Sequence, residues 1–121
     1  MYSLRVETEF AAAHFLTHYH GKCENLHGHN YKVHLWVKGT VLDRGGMVAD
    51  FALLKKILKE TTDLLDHSNL NDIDEFDNNP SAERIARFIF ESVKGKMADL
   101  GTAVSAVDVF ETATNMARYG E

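Results

Sequence analysis

The sequence predicts an α+β fold with elements in the order ββααββ: a four-stranded antiparallel sheet with two helices on one face. Three observations predict it. Apolar residues alternate at period two near both ends of the chain. In the middle the period changes twice to that of a helix. Turn-forming residues separate these stretches.

In the first strand, Leu4, Val6, Thr8, Phe10 and Ala12 fall on one face and Arg5, Glu7 and Glu9 on the other, so one face is buried; His14 is the next step of the apolar set. Residues 15 to 26 form a polar connection. A second strand runs from His29 to Lys38, with Tyr31, Val33, Leu35 and Val37 on one side. Asn30, Lys32, His34 and Lys38 take the other, where Trp36 is the exception. Asp43-Arg44-Gly45-Gly46 is a turn, Met47-Val48-Ala49 a short extended piece, and Asp50 a helix N-cap.

From Phe51 onward, Phe51, Leu54, Ile57, Leu58, Thr61 and Leu65 make a helical stripe, with Lys55, Lys56, Lys59 and Glu60 outside it. Leu70 to Asn79 is acidic and rich in Asn, which reads as a loop. Pro80 then opens a second helix, with Glu83 in its first turn and an apolar stripe of Ile85, Phe88, Ile89, Val93 and Met97; Gly95 weakens its later part. Beyond Gly101 the period is two again: Val104, Ala106, Asp108 and Phe110 alternate with Ser105, Val107, Val109 and Glu111. Thr112 to Asn115 is a turn, and Met116 to Tyr119 a short last strand. Such a sheet has open edges, which invite pairing with another chain, so a homo-oligomer is expected.

At 121 residues, with 45% of them apolar, the chain is expected to form one domain over 1–121. A net charge of −5, with both signs mixed throughout, argues against a dedicated nucleic-acid or membrane surface and leaves room only for a local basic pocket. Cys23 is the single cysteine, so no intramolecular disulfide forms. Neither a charged and apolar leader nor an apolar run of membrane-spanning length is visible, and a cytoplasmic location is expected.

Seven histidines are present, six of them between His14 and His34. In His27-Gly28-His29 two imidazoles stand two residues apart at the start of a strand, so both point to one side. If the first two strands pair with His14 on that side, three imidazoles converge. Three nitrogens with a fourth position open form a catalytic rather than a structural zinc pattern. Taken singly, each histidine also reads as a hydrogen-bonded core or surface residue. Cys23 lies four positions before His27 among polar neighbours. It reads as a reactive thiolate or as a fourth metal ligand. His18, His20 and His34 read as solvated or supporting residues. Asp66 beside His67 can fix an imidazole tautomer, or His67 can simply end a helix. Glu111 is either an exposed strand end or a buried anchor for a donor-rich ring such as a guanine-like edge.

Five stretches carry a family resemblance in order: Phe10-Ala11-Ala12-Ala13-His14; Cys23-Glu24-Asn25-Leu26-His27-Gly28-His29-Asn30-Tyr31; Leu65-Asp66-His67-Ser68-Asn69-Leu70-Asn71; Asn79-Pro80-Ser81-Ala82-Glu83; and Phe110-Glu111-Thr112. Over nearly its whole length the chain resembles the 6-pyruvoyltetrahydropterin synthase superfamily, which has the tunnelling fold. The Cys-x-x-x-His-Gly-His spacing is similar to the 6-carboxytetrahydropterin synthase branch, which serves queuosine and other 7-deazaguanine biosynthesis. The resemblance implies Zn2+ on His14, His27 and His29, Cys23 as general base, and Asp66 with His67 as proton relay. Glu111 would hold the pterin ring. It further implies a homohexamer of two stacked trimers acting on 7,8-dihydroneopterin triphosphate, with triphosphate and acetaldehyde released. Many relatives carry a basic residue after the first zinc histidine where this chain has Phe15, so a triphosphate contact falls to Lys22, His18 or an arginine elsewhere. Three rival readings follow: a pyruvoyl-forming synthase on the same substrate, a metal- or purine-binding module without turnover, and a plain structural domain with scattered core histidines.

Overall fold

The structure is a computed structural model describing residues 1–18, 20–21 and 24–121. Two long strands come first, β1 (Tyr2–His14) and β2 (His27–Gly39). Helix α1 (Phe51–Thr62), a two-residue strand β3 (Ser68–Asn69), helix α2 (Ala82–Lys96), β4 (Ala103–Phe110) and β5 (Met116–Gly120) follow. The sheet order is β3-β1-β2-β4-β5; β3 runs parallel to β1 and every other pair is antiparallel. The sheet therefore has five strands where the alternation predicts four. Two residues are too few to show a period, so β3 leaves no trace in the hydrophobic pattern.

Pairing of β1 with β2 is unbroken from Tyr2↔Gly39 to His14↔His27. This register puts Val6, Phe10, Ala12 and His14 on the same face as Tyr31, Val33, Leu35 and Val37, and all eight are buried. Both helices cover that face. Leu54, Ile57 and Leu58 of α1 and Ile85, Ala86, Ile89, Phe90 and Val93 of α2 complete the core. Fully burying one such aliphatic or aromatic side chain contributes roughly 1.5–3 kcal/mol. Asp50 caps α1 by accepting from the Ala52 N–H at 2.9 Å. Ser81, rather than Pro80, caps α2 by accepting from the Arg84 N–H at 3.2 Å.

Three local expectations change. Met47 to Ala49 forms no strand: it follows a turn at Arg44 and Gly45, where Asp43 Oδ1 accepts from the N–H groups of Gly45 and Met47, and Val48 and Ala49 bend. In β4 a bulge opposite Trp36/Val37 shifts the register, so Val104, then Val107 and Val109, face the core. Ala106 and Asp108 are buried on the opposite face instead. The acidic Leu70 to Asn79 segment holds two short 3-10 turns, Leu70–Asp72 and Asp74–Phe76, whose Leu70 and Phe76 are fully buried. Along its outer edge β1 has strand partners at Ala12 and Ala13 alone among the described residues, and β5 ends the sheet on the other side.

Candidate functional site

The site grows out of the β1–β2 register in three rows on the helix-covered face. Phe10 stands opposite Tyr31, Ala12 opposite His29, and His14 opposite His27. The small Ala12 leaves space for His29 between the two larger rows. Ring centroids of His14, His27 and His29 are 4.6, 5.1 and 4.9 Å apart, and one nitrogen from each lies within 4.8 Å of the other two. Nitrogens at this separation could hold one metal ion between them. The convergence expected of His14, His27 and His29 is thus present.

Tautomers follow from the neighbours. His14 Nδ1 is 2.8 Å from the carbonyl oxygen of Pro80, and His27 Nδ1 is 2.6 Å from that of Asn25. A carbonyl oxygen only accepts, so each Nδ1 carries the proton and donates. Each Nε2 keeps its lone pair, the arrangement that backbone carbonyls impose on metal-binding imidazoles. The Nε2 atoms of His14 and His29 are buried with no hydrogen-bond partner among the described residues. Burial holds the His14 imidazolium disfavoured and lowers its pKa. The Pro80 carbonyl and Glu111 oppose this, while His27 and His29 add to it. Buried nitrogens of His14 and His29 without a hydrogen-bond partner among the described residues fit a divalent cation.

Glu111 reaches the same place, with Oε1 3.9 Å from His14 Nε2 and a side chain 27% exposed. It also lines a groove with Leu16, Ser81, Ala82 and Met116, beside the start of α2. Tyr31 forms the floor: its ring meets His29 and His14 edge-on at 5.4 and 5.9 Å, and burial, with Glu111 nearby, pushes its phenol pKa far up.

Asp66 and His67 form a second cluster on the outer edge of β1. Asp66 Oδ1 accepts from the Ala11 N–H at 2.9 Å, and Oδ2 lies 3.0 Å from His67 Nδ1. The His67 N–H donates to the Ala11 carbonyl at 2.6 Å, and the residue takes a left-handed φ of 55°. The Ala11 N–H above all holds the Asp66 carboxyl below the usual range; partial burial opposes it and the His67 contact reinforces it. An ionised Asp66 can thus orient a His67 whose side chain is 83% exposed. An open groove lined by Ala11, Gly28, His29, Asn30 and His67 runs between this pair and the histidine cluster.

Of the remaining expectations, Cys23 and Lys22 lie outside the described residues. His18 is exposed. His20 is near Glu24, at 3.4 Å, and His34 binds Glu7 at 2.8 Å on the opposite face of the sheet. Sequence reasoning missed Tyr31, Pro80, Asn71 and Asn79 as parts of the site. Asn71 accepts from the Phe15 N–H and donates to the Phe15 carbonyl, while Asn79 Oδ1 accepts from the N–H and hydroxyl of Thr17. The chain leaving His14 is thereby clasped by side chains. A Tyr on an apolar strand face two residues from a His was the available signal, because a buried phenol needs a partner.

Residues 3–121 match the family model for 6-pyruvoyl tetrahydropterin synthase. The chain belongs to this family of lyase-type pterin enzymes. It is 38% identical to the 6-carboxy-5,6,7,8-tetrahydropterin synthase of Synechocystis sp. over 98% of this chain and 93% of that protein. Against the protein of the same name from Haemophilus influenzae it is 32% identical, covering the whole of both chains. The structure of Caenorhabditis elegans 6-pyruvoyl tetrahydropterin synthase superposes with a TM-score of 0.87 at 32% identity, over 99% of this chain and 95% of that one. No helix among the described residues is long and apolar enough to cross a membrane.

Proposed function

We propose that the chain is a zinc-dependent 6-carboxytetrahydropterin synthase. It would convert 7,8-dihydroneopterin triphosphate and water into 6-carboxy-5,6,7,8-tetrahydropterin, triphosphate and acetaldehyde, as a step toward 7-deazaguanines such as queuosine. The observation that carries this reading is the convergence of His14, His27 and His29 beside Glu111, with the Nε2 atoms of His14 and His29 buried and without a hydrogen-bond partner among the described residues. The names of the bacterial relatives support the carboxy product.

His14, His27 and His29 hold the metal, which when bound supplies a Lewis acid for negative charge developing on the substrate side chain. Glu111 accepts hydrogen bonds from the N–H edge of the pterin ring and fixes its orientation. Cys23 removes a side-chain proton as thiolate. His67, oriented by Asp66, returns or relays protons. Clasped by Asn71 and Asn79, residues 15–17 form one wall where the chain leaves His14.

The whole chain works as one domain in the cytoplasm, assembled as a homohexamer of two trimers. The outer edge of β1 before Ala11, unpaired among the described residues, and the outer edge of β5 are the surfaces that support pairing. A neighbouring subunit at the β1 edge would enclose the exposed His67. The same site also suits a pyruvoyl-forming synthase, the reading favoured by the Caenorhabditis elegans structure. Turnover by wild type and by Cys23→Ala, each with zinc content measured, tests the mechanism. Loss of turnover at full zinc occupancy is expected; a Cys23→Ala variant as fast as wild type removes Cys23 as the base.

A further inference from the structure

Of the buried polar side-chain atoms without a hydrogen-bond partner among the described residues, His14 Nε2, His29 Nε2 and the Tyr31 hydroxyl belong to one corner of the molecule. A metal accounts for the two imidazole nitrogens and leaves the hydroxyl unexplained. Tyr31 is fully buried. Phe10 stacks on its ring at 4.8 Å with the planes 12° apart, and His29 and His14 meet it edge-on. These contacts fix the ring, so the hydroxyl cannot swing away to find another acceptor. A buried donor left unpaired destabilises the fold, so it calls for a partner.

Glu111 is that partner by position. The β2–β4 ladder ends at Lys32↔Phe110, and one further step sets Tyr31 opposite Glu111 on the same face. Opposed side chains of this kind have Cβ atoms about 5 Å apart. His14 Nε2 lies 3.9 Å from Glu111 Oε1, beyond hydrogen-bond reach. Its proton sits on Nδ1, facing Pro80, so it has none to offer. The Glu111 side chain is partly exposed and free to turn.

We propose that Tyr31 is a positioning residue for Glu111: once the three histidines are engaged, the Tyr31 hydroxyl donates to the Glu111 carboxylate and aims it at the N–H edge of the pterin. This rests on the reading above, in which Glu111 holds the ring. Pterin binding therefore depends on a hydroxyl that never touches the pterin.

The test is Tyr31→Phe, Glu111→Gln and the double variant, with zinc content, thermal midpoint of the zinc-free protein, KM and kcat measured for each. Tyr31→Phe keeps the ring, so it keeps zinc, and it removes an unpaired hydroxyl, so its zinc-free midpoint stays level or rises. Its KM for 7,8-dihydroneopterin triphosphate rises about tenfold while kcat changes by less than about twofold. The double variant binds no worse than Glu111→Gln alone. A packing role alone would instead lower the midpoint and leave KM in place. A wild-type KM in Tyr31→Phe, lost zinc in Tyr31→Phe, or fully additive losses in the double variant each overturn the inference. If wild-type protein itself neither binds nor turns over the pterin, the reading of the site falls and takes this inference with it.

Discussion

His14 donates from Nδ1 to the carbonyl oxygen of Pro80 across 2.8 Å, a contact spanning 66 positions of the chain. It ties the end of β1 to the residue before the α2 cap and leaves the buried Nε2 with its lone pair facing the other two histidines. Replacing His14, His27 or His29 by Ala should therefore weaken zinc binding by more than about 100-fold, since removing even an outer partner of a metal ligand commonly costs 10–100-fold. His34→Ala, altered on the opposite face, should keep full zinc content. Metal analysis after dialysis against a weak chelator separates the two outcomes.

Asp66→Asn divides two roles of one carboxylate. The amide oxygen can still accept from the Ala11 N–H, so the edge of β1 should stay intact. The charge beside His67 is gone, and kcat should fall roughly 10²–10⁴-fold if His67 acts as acid or base. Zinc content should not change. A fall in zinc or in thermal midpoint matching the loss of kcat would mean that Asp66 serves the fold alone.

Much of this arrangement was legible in the sequence, and the misses have physical causes. The two-residue spacing of His27 and His29, and the even step from Ala12 to His14, are period-two facts that any paired strands must obey. The β3 strand was not legible, because it is held by the Ala11 backbone through residues 66 and 67 rather than by an apolar pattern. Nor was the flip within β4: Val104 and Val107 share a face only because a bulge intervenes, and Asp108 consequently belongs to the other side. Backbone acceptors such as Pro80 and Asn25 carry no sequence signal at all.

Asp108 shows what that other side does. Arg118 donates to both of its oxygens, at 2.6 and 3.1 Å, and the Trp36 indole N–H donates at 2.9 Å. Burial works against the charge, but these donors outweigh it and hold the carboxyl below its usual range. A native pKa below the unfolded one gives a contribution that is complete above the unfolded value of about 3.9 and is lost as pH falls through the native value. Asp108→Asn should accordingly be less stable at pH 7 and lose less stability on acidification. Denaturant titrations at pH 7 and at a series of values below 4 test this, and parallel curves for the two proteins would contradict it.

Asn71→Ala removes two hydrogen bonds that clasp Phe15 and the amide donor that reaches the carbonyl and side-chain oxygens of Asn78. The expected cost is about 1–3 kcal/mol from the partly buried groups left unpaired. Zinc affinity should drop far less than in His14→Ala, because the Pro80 carbonyl still orients His14. Unchanged stability in urea would show that the clasp contributes nothing.

The most direct test of the central claim is to incubate zinc-loaded protein with 7,8-dihydroneopterin triphosphate and identify the products by mass spectrometry. Zinc-loaded protein should yield 6-carboxytetrahydropterin with acetaldehyde and triphosphate in equal amounts, and zinc-stripped protein none of them. A pyruvoyl product would move the chain to the other branch of its family, and no turnover at full zinc occupancy would contradict the assignment outright.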